Sequence, residues 1–310
     1  MLAGGATGVR PQGGPARAVA LGVPYPPGGP TDVLARALGE RLAEALGQPV
    51  PIETRPGAGA ALGADQVARA KPDGHSPLVG AVHHAIATSV YPKLPYDVRK
   101  DFAPVTTIAM VPNVRVINAS TPAKTVAELV ALPRKEPGKL AYGSNGNGTA
   151  QHLIGTQFQQ ATGTQPVHVP YKGSAPMATD LLGGQIAMSF DTITPVLPHI
   201  RAGTLRALAV TTAAPSSALP DVPTLAKAGL DGFDIGTWFG VLAPVATPPD
   251  IVRRLNAEAV KIIRSPEFGR RMAEIGAEPI GESTEEMARR IRVDTERFAK
   301  LVKEANVTVE

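Results

Sequence analysis

The amino-acid sequence predicts an α/β fold, because short apolar runs alternate with longer stretches of helical periodicity. Glycine and proline, at 32 and 31 residues, stand at the ends of these runs and indicate many short elements joined by tight turns. Strands that alternate with helices favour mostly parallel sheets flanked by helices. Aromatic residues make up only 4% of the chain, so the core is expected to consist of Ala, Val, Leu and Ile.

Apolar runs bounded by glycine, proline or polar turn residues predict the strands. These are residues 17–23, 49–54, 77–82, 103–109, 113–118, 139–143, 166–170, 186–190, 205–211 and 237–243. Helical periodicity predicts the helices, residues 31–46, 59–70, 84–90, 125–132, 149–162, 174–183, 195–202, 222–228, 249–264, 266–275 and 284–305. Typical start signals support two of them: the acidic first turn after Ser283, and the pair Pro248-Pro249 before the helix at 249.

Composition excludes several classes of protein. The length of 310 residues predicts two domains of ordinary size or one large domain. The net charge of +4 comes from dispersed Lys and Arg residues without a basic stripe, which disfavours nucleic-acid binding. The lack of cysteine excludes disulfides, thiol catalysis and Cys-ligated zinc. No run approaches the roughly 18 apolar residues of a spanning helix, and residues 1–16 are expected to be a disordered leader or a signal-peptide remnant.

Residues 23–32, VPYPPGGPTD, connect a predicted strand to a predicted helix. Their prolines restrict the backbone, and their glycines have no side chains. Pro30 suits the first helical turn, and Gly28 and Gly29 leave the backbone open to close approach. Asp32 lies near the positive end of the helix, where it satisfies free amides or faces the dipole. An anionic ligand at this helix start would meet the charge of Asp32, unless that side chain points away or binds a ligand amine or a water.

The tripeptide VPY occurs twice, at 23–25 and at 169–171. Each copy ends an apolar run and is followed by glycine, proline and a Thr-Asp pair that leads into a helix. Such a repeated motif arises either by chance or because the chain forms two lobes of similar connectivity. In the second case each lobe would present a loop at the carboxyl end of its sheet, where open α/β sheets bind ligands.

Two glycine clusters require separate interpretations. Residues 57–63, GAGAALG, imitate a dinucleotide fingerprint, but Pro56 precedes them and no acid follows at the expected offset, so a tight turn with close helix packing is favoured. Residues 142–153, YGSNGNGTAQHL, lack the Gly-Lys-Ser/Thr of a phosphate-binding loop. Their glycines and polar side chains fit a bound anion or an ordinary capped helix, and both alternatives stay open.

The sequence offers no pattern typical of catalysis. His83 and His84 are adjacent and point apart on a strand, which disfavours a metal pair. Neither a Gly-x-Ser-x-Gly elbow nor a His-Glu-x-x-His motif occurs, and no nucleophile stands beside a plausible base. No catalytic residue, metal site or cofactor is therefore predicted, and an α/β enzyme remains only an outside alternative.

A series of motifs carries a resemblance to a known family. They are VPYPPGGPTD, RPGAGAALGA, YPKLPYDVRKDFAPV, KLAYGSNGNGT, VHVPYKGSAP, DLLGGQIAMSFD, LRALAVT, LPDVPTLAKAGL and WFGVLAP, in this order. Together they resemble the Bug family, the substrate receptors of tripartite tricarboxylate transporters in proteobacteria. The resemblance implies a two-lobed periplasmic binding protein fold of type II, with a mostly parallel sheet in each lobe and two crossing segments as the hinge. The expected lobes are residues 17–115 plus 236–310 and residues 116–235.

The same resemblance implies a function. The expected protein is a monomeric periplasmic receptor whose true signal peptide is absent from this sequence or truncated in it. It would bind a small carboxylated organic acid in the cleft between the lobes and deliver it to the permease subunits of a tripartite tricarboxylate-type transporter. The alternative is a sensor that presents the bound acid to a signalling partner, since some members of the family are orphan receptors.

The resemblance also implies the ligand-binding residues. The loop from Tyr25 to Asp32 and the loop from Ser144 to Thr149 would hold the carboxylate through amides, hydroxyls and ordered waters rather than through arginine. Asp191 takes the place of a ligand-facing acid. The expected set is Tyr25, Pro26, Gly28, Gly29, Pro30, Thr31, Asp32, His83, His84, Ser144, Asn145, Gly146, Asn147, Gly148, Thr149, Tyr171, Asp191 and Trp238.

Three departures from the family pattern bear on ligand choice. Pro30 stands where the family usually has serine, Ala187 stands where it often has an acid, and His83 replaces a small polar residue. Proline lacks both the hydroxyl and the amide hydrogen of serine. We therefore expect weaker binding of a tricarboxylate such as citrate, and better binding of a mono- or dicarboxylate with an apolar or aromatic part.

Overall fold

A computed structural model describes residues 18–135, 140–304 and 307 of the chain. The predicted leader, residues 1–16, lies outside them. The strands are β1 (Leu21–Val23), β2 (Ile52–Thr54), β3 (Leu78–Ala81), β4 (Phe102–Asn118), β5 (Ala141–Ser144), β6 (Val167–Pro170), β7 (Met188–Thr192), β8 (Leu205–Val210), β9 (Gly236–Pro244) and β10 (Glu278–Pro279). The helices are α1 (Pro30–Leu46), α2 (Ala61–Ala68), α3 (His83–Val90), α4 (Val126–Lys135), α5 (Ala150–Thr162), α6 (Ser174–Leu182), α7 (Ile193–Arg201), α8 (Pro249–Ile263), α9 (Pro266–Glu274) and α10 (Thr284–Glu304), with a short 3-10 helix at Ala58–Ala60.

The fold has two lobes that share one long strand. In the first lobe β2, β1 and β3 run parallel, and β9 joins them antiparallel between β3 and the first part of β4. In the second lobe β6, β5 and β7 run parallel, and the last part of β4 pairs antiparallel with β7 and β8. The predicted α/β class and two-lobed fold are confirmed. Each lobe contains three parallel strands, and the long antiparallel strands β4 and β9 extend these sheets.

Strand β4 forms one of the crossings between the lobes. Its residues up to Pro112 pair with β9, and the pairing with β7 and β8 begins at Asn113 and Val114. Two strands were predicted here, at 103–109 and 113–118, because Pro112 lacks a backbone donor and normally interrupts a central strand. The chain instead continues as one strand, with register shifts on either side of Thr106 and Thr107.

Helix boundaries follow the capping chemistry that the sequence indicates. Helix α1 begins after Gly29 with proline at its first position, and it ends at Gly47 in the left-handed conformation. Helix α10 begins with a reciprocal capping box, in which the Ser283 hydroxyl accepts from the Glu286 amide at 3.2 Å and the Glu286 carboxylate accepts from the Ser283 amide at 2.9 Å. Helix α10 packs against α3 and β4 of the first lobe.

Two differences from the predicted elements have simple causes. Residues 222–228 form turns instead of a helix, and Thr224 makes an isolated parallel bridge with Val210. Proline and two glycines flank this stretch, so its apolar residues meet the core without helical hydrogen bonds. The strand β10 was not predicted, because only two residues pair with β4 and neither is apolar enough to mark a strand.

The second lobe buries an arginine. Arg115 is 1% exposed, and its guanidinium carbon lies 4.6 Å from the ring centre of Phe158 and 4.4 Å from that of Phe190. Burial lowers the pKa of Arg115 to about 9. Cation–π contacts with two desolvated rings hold α5 against the sheet in this lobe.

The segment before α2 adopts an unusual backbone. Gly57, Ala58, Gly59 and Ala60 all have positive φ angles, and Ala58 at 47° is exposed. A side chain at Gly59 would collide with the hydroxyl of Tyr91. Left-handed φ costs a residue with a Cβ roughly 1–2 kcal/mol.

Ala58→Gly is therefore expected to raise the free energy of unfolding by about 0.5–1 kcal/mol, after the greater freedom of glycine in the unfolded chain is subtracted. The matched control is Ala257→Gly, at an exposed position inside α8, which is expected to lower it by about 1 kcal/mol. Urea unfolding followed by circular dichroism measures both. Equal destabilisation by the two substitutions would contradict the claim that the backbone of Ala58 is strained.

Candidate functional site: a cleft between the lobes

A cleft lies between the two lobes, with about 400 Å³ of empty space when the part open to solvent is included. Its walls come from the corner before α1, the start of α3 and strand β9 on one side, and from the loops before α5, α6 and α7 on the other. The lining residues are Tyr25, Pro26, Gly29, Pro30, Thr31, His83, Asn145, Gln151, Lys172, Gly173, Ser174, Ala175, Thr192 and Phe239.

Five helices direct their N-termini toward this cleft. The residues that represent them in the lining are Thr31 for α1, His83 for α3, Gln151 for α5, Ser174 for α6 and Thr192 for α7. The first amides of a helix lack intrahelical acceptors, and the helix dipole places partial positive charge at the same end. Among the described residues that line the cleft, only Lys172 carries a charged side chain. The cleft is therefore suited to an anion that is held mainly by backbone dipoles.

Four buried polar atoms in the lining have no protein partner among the described residues. They are Tyr25 Oη, His83 Nδ1, Asn145 Oδ1 and Gln151 Oε1. An unsatisfied buried polar group costs roughly 1–3 kcal/mol, so such groups are uncommon in folded proteins. Their concentration in one cleft indicates that they hydrogen-bond to molecules that enter it.

His83 and Tyr25 form an uncharged aromatic wall of the cleft. Their ring centres are 5.6 Å apart and the rings meet edge to face at 81°. Burial, followed by the neighbouring His84, lowers the pKa of His83 to about 3, so the imidazole is neutral near pH 7. Burial also raises the pKa of Tyr25 well above its ordinary value, so the phenol keeps its proton and can donate it in a hydrogen bond.

Asp191 lies behind the cleft wall. Its Oδ1 accepts hydrogen bonds from Asn145 Nδ2 at 2.9 Å, from Ser174 Oγ at 2.9 Å and from the Thr192 amide at 2.8 Å. Burial raises the pKa of Asp191 to about 6, although these hydrogen bonds oppose the shift. Asp191 was predicted to face the ligand. The structure instead places three of its partners in the lining, so that the carboxylate positions them.

Asp32 is turned away from the cleft. Its carboxylate accepts from the Gly28 amide at 3.0 Å and pairs with Arg36 at 2.9 Å. This arrangement answers the question that the sequence raised, because the charge of Asp32 is compensated by Arg36 and does not oppose an anion at the start of α1. Gly28, with a φ of 84°, makes the turn and does not line the cleft.

The glycine-rich loop before α5 divides into supporting and lining residues. Ser144 Oγ lies 2.7 Å from His168 Nε2, the Gly148 amide donates to His152 Nδ1 at 3.1 Å, and Thr149 caps the helix. These residues shape the loop from behind. Asn145 alone of the loop lines the cleft itself. Of the two alternatives for this sequence, Thr149 fits the helix cap, and Asn145 faces the space where an anion would lie.

Thr149→Ala is expected to lower the free energy of unfolding by about 1 kcal/mol, because its hydroxyl accepts from the His152 amide at 3.3 Å and donates to the Gly146 carbonyl at 2.8 Å. The sequence instead suggested that this hydroxyl is a donor aimed at a ligand. Thr156→Ala in the same helix is the control, since that hydroxyl bonds to the His152 carbonyl and to the Tyr142 side chain and caps no helix. Unfolding in urea and calorimetry with a bound carboxylate test it. Lost affinity with unchanged stability would show that Thr149 contacts the ligand.

Two predicted wall residues lie in the core instead. His84 is 1% exposed, and its Nδ1 lies 2.7 Å from Tyr96 Oη. Trp238 is 1% exposed and donates from Nε1 to Asp294 of α10 at 2.7 Å. The structure does not bring either side chain to the cleft. At the adjacent position His83 does line it, since neighbouring side chains at this helix start point in different directions.

The cleft opens into a wider depression that both lobes border. It includes Gly146, Asn147 and Tyr171 of the predicted set, and the Tyr171 hydroxyl donates to Asp180 at 2.8 Å. Across this mouth the hydroxyl of Tyr91 donates to the Asn147 carbonyl at 3.0 Å. This bond joins the two lobes in the conformation that the structure describes.

Seven lining residues were not predicted. They are Gln151, Lys172, Gly173, Ser174, Ala175, Thr192 and Phe239. The second VPY tripeptide was the available signal for part of this group, because residues 172–175 follow it as residues 26–31 follow the first copy. Both loops do line the same cleft. Gln151 and Phe239 gave no signal, since one lies within a helix and the other within an apolar strand.

The two-lobed fold and its anion-attracting cleft define a class, that of the solute-binding proteins. The family model described as "Tripartite tricarboxylate transporter family receptor" matches residues 34–307. The chain belongs to this family, as the sequence motifs predicted. Receptors of this family are periplasmic. In the described part of the chain, none of the helices has both the length and the apolar character needed to cross a membrane.

Individual relatives agree with this assignment. BugT of Bordetella pertussis is 37% identical, over 96% of this chain and 91% of its own. A structure from R. palustris with adipate is 38% identical, with a TM-score of 0.92 over 95% of this chain and 99% of the other. MatC from Rhodopseudomonas palustris, with bound malate, is 32% identical, with a TM-score of 0.88 over 93% and 99%. A family member from Polaromonas without ligand is 29% identical and has a TM-score of 0.68 over 94% and 99%.

Proposed function

We propose that this protein binds a small carboxylate in the cleft between its lobes and delivers it to the membrane subunits of a tripartite tricarboxylate-type transporter. The observation that carries the proposal is the convergence of five helix N-termini on one cleft that contains a single charged side chain, Lys172. Similar structures with adipate and with malate support a carboxylate as the ligand. Binding is not followed by chemical conversion, in keeping with relatives that are receptors.

The predicted lobes and their closure belong to this proposal. The lobes comprise residues 17–115 plus 236–310 and residues 116–235, and they hinge where β4 crosses between the sheets. The Tyr91–Asn147 hydrogen bond across the mouth supports a closed conformation. So does the higher TM-score with the two structures that hold ligands, 0.92 and 0.88, than with the structure without ligand, 0.68. Closure would enclose the acid between loops of both lobes.

Roles can be proposed for individual lining residues. Tyr25 has a hydroxyl group with no partner among the described residues, and it can donate a hydrogen bond to a carboxylate oxygen. The backbone amides of Thr31 and Ala175 lie in the first turns of α1 and α6, where helix geometry leaves donors free. Phe239, Pro26 and Pro30 supply apolar contacts for the carbon chain of the ligand.

A panel of C3 to C8 mono- and dicarboxylates is expected to include at least one acid that raises the unfolding temperature. Binding to the folded state alone stabilises by about 2.7 kcal/mol at a hundredfold excess over Kd. Differential scanning fluorimetry measures the shift, and the uncharged amides of the same acids are the control. Flat curves for every acid, with protein that mass spectrometry shows to be free of copurified ligand, would contradict carboxylate binding.

The delivery step needs a separate experiment. In cells that carry the membrane subunits of a tripartite tricarboxylate-type transporter, uptake of the bound acid is expected to require this protein. Uptake that is equal with and without the protein would contradict delivery, even if binding itself is confirmed.

A further inference from the structure

The side-chain amide of Gln151 has an orientation that its hydrogen bonds determine. Asn113, at the crossing between the lobes, donates from Nδ2 to the Ile235 carbonyl at 3.0 Å. A backbone carbonyl can only accept, so Asn113 Oδ1 must face the other way, where it accepts from Gln151 Nε2 at 2.7 Å and from the Thr237 hydroxyl at 3.2 Å. Gln151 Oε1 therefore points away from Asn113 and has no partner among the residues that the structure describes.

The amide of Asn145 is oriented by an independent chain of bonds. Asp191 Oδ1 accepts from the Thr192 backbone amide at 2.8 Å, which identifies it as an acceptor. Asn145 must then present Nδ2 to it, at 2.9 Å, and Nδ2 also lies 3.0 Å from Ser174 Oγ. Reversing the amide would bring two oxygen atoms together. Asn145 Oδ1 is consequently directed elsewhere, and within the described part of the chain it too has no partner.

Both amide oxygens belong to side chains that line the same cleft. Gln151 is 0% exposed and Asn145 is 7% exposed, so bulk water does not satisfy them. An amide oxygen can only accept a hydrogen bond, whereas an ionised carboxylate has only acceptors of its own. The carboxylate end of a ligand thus suits the helix N-termini and the hydroxyl groups. It does not suit these two oxygens, which require a donor.

We propose that the preferred ligand is a hydroxy acid, whose hydroxyl group donates to Gln151 Oε1 or Asn145 Oδ1 while its carboxylate meets the helix N-termini. This inference rests on the proposed function of the cleft and names the ligand class within it. A neutral hydroxyl is favoured over an ammonium group for two reasons. Several helix N-termini with partial positive charge face the cleft, and none of the described lining residues is acidic. Gln151 also links the ligand to the hinge through Asn113.

Calorimetry on matched acids tests this inference. For the tightest acid in the carboxylate panel, we compare the hydroxy acid in both enantiomers with the otherwise identical deoxy acid and amino acid. One hydroxy enantiomer is expected to bind at least about tenfold more tightly than the deoxy acid, since the deoxy acid leaves a buried acceptor without a donor. The variant Gln151→Met keeps the length of the side chain and removes the acceptor, and it is expected to reduce this ratio to less than about threefold.

Gln157→Met is the matched control, because Gln157 lies in the same helix, donates to the Gly232 carbonyl and does not line the cleft. It should leave the affinity ratio unchanged. A deoxy acid or an amino acid that binds as tightly as the hydroxy acid would overturn the inference while leaving carboxylate binding intact, as expected if ordered waters satisfy the two oxygens. An unchanged ratio in Gln151→Met would overturn the role of Gln151. If this variant does not fold, the ratio in the unaltered protein decides.

Discussion

Ala175→Asp is expected to abolish carboxylate binding while the protein still folds. Ala175 lines the cleft in the first turn of α6, where an acidic side chain favours the helix because it faces the positive end of the dipole. The same carboxylate would stand beside the bound anion. At about 4 Å and an effective dielectric constant of about 20, two unit charges repel by about 4 kcal/mol, which corresponds to a loss of affinity of roughly a thousandfold.

Ala175→Asn separates charge from size, since asparagine has the same shape without the charge. It is expected to retain binding within about fivefold, a penalty of roughly 1 kcal/mol. Isothermal titration calorimetry with the tightest acid of the panel measures both variants, and circular dichroism confirms that each is folded. Equal losses in the two variants would mean that the space at residue 175 matters and that the anion lies elsewhere in the cleft.

Lowering the pH from about 6.5 to about 4 is expected to destabilise the protein steeply. Burial lowers the pKa of His83 to about 3 and that of His84 to about 4, from an ordinary value of 6.5. In this range the unfolded chain binds a proton at each imidazole and the folded chain does not. The stability that these groups contribute is therefore fully present above pH 6.5 and is lost as the pH falls, at about 1.4 kcal/mol per pH unit for each fully buried histidine.

Other groups modify this slope in known directions. His152 and His168, whose pKa values burial lowers to about 4, act in the same sense. Two carboxyl groups oppose them. The pKa of Asp191, about 6, means that the folded chain takes up a proton that the unfolded chain takes up only near pH 4, and burial also raises the pKa of Asp294. Four groups against two leave a net loss of stability in acid.

His84→Leu is expected to reduce the slope of unfolding free energy against pH by about 1.4 kcal/mol per pH unit below pH 6.5. Tyr96→Phe is its control, because it removes the same His84–Tyr96 hydrogen bond and keeps the imidazole. Urea unfolding at pH 7.5, 6 and 5 measures the slopes. If Tyr96→Phe flattens the slope as much as His84→Leu does, the hydrogen bond rather than the buried imidazole produces the pH dependence.

Most elements of the fold could be predicted, because local chemistry determines their ends. The glycine and proline around α1 and the Ser283–Glu286 box of α10 act within a few residues of chain, so their effect is visible in sequence. Contacts between distant segments could not be predicted. The continuity of β4 through Pro112 depends on its pairing with β9, which lies more than a hundred residues later in the chain.

The site was predictable in part for the same reason. Proline and glycine corners mark unusual backbone, so the loops with Tyr25 and with Asn145 could be identified, and both line the cleft. Side-chain direction was the missing information. Asp32 turns back to Arg36, and Asp191 lies behind Asn145, although a charged residue in a binding loop normally suggests a ligand contact. The family resemblance indicated which residues lie near the site, but it did not indicate the direction in which their side chains point.

The burial of Arg115 could not be predicted from the pattern of polar and apolar residues along the chain. Its place in an apolar run would suggest a solvent-facing position on a half-buried strand. The side chain is instead enclosed between Phe158 and Phe190, which come from a helix and a strand far along the chain. Only the assembled second lobe reveals that this cation has aromatic partners in place of an acid.

The position of the carboxylate in a crystal structure of the complex tests the central claim most directly. The structure should be determined with the tightest acid of the panel. We predict that the carboxylate oxygens lie within hydrogen-bond distance, about 2.7–3.2 Å, of first-turn amides from at least two helices, with Thr31 and Ala175 as the leading donors. A carboxylate held by the Lys172 ammonium group without any first-turn amide, or a ligand bound outside the cleft, would contradict this account.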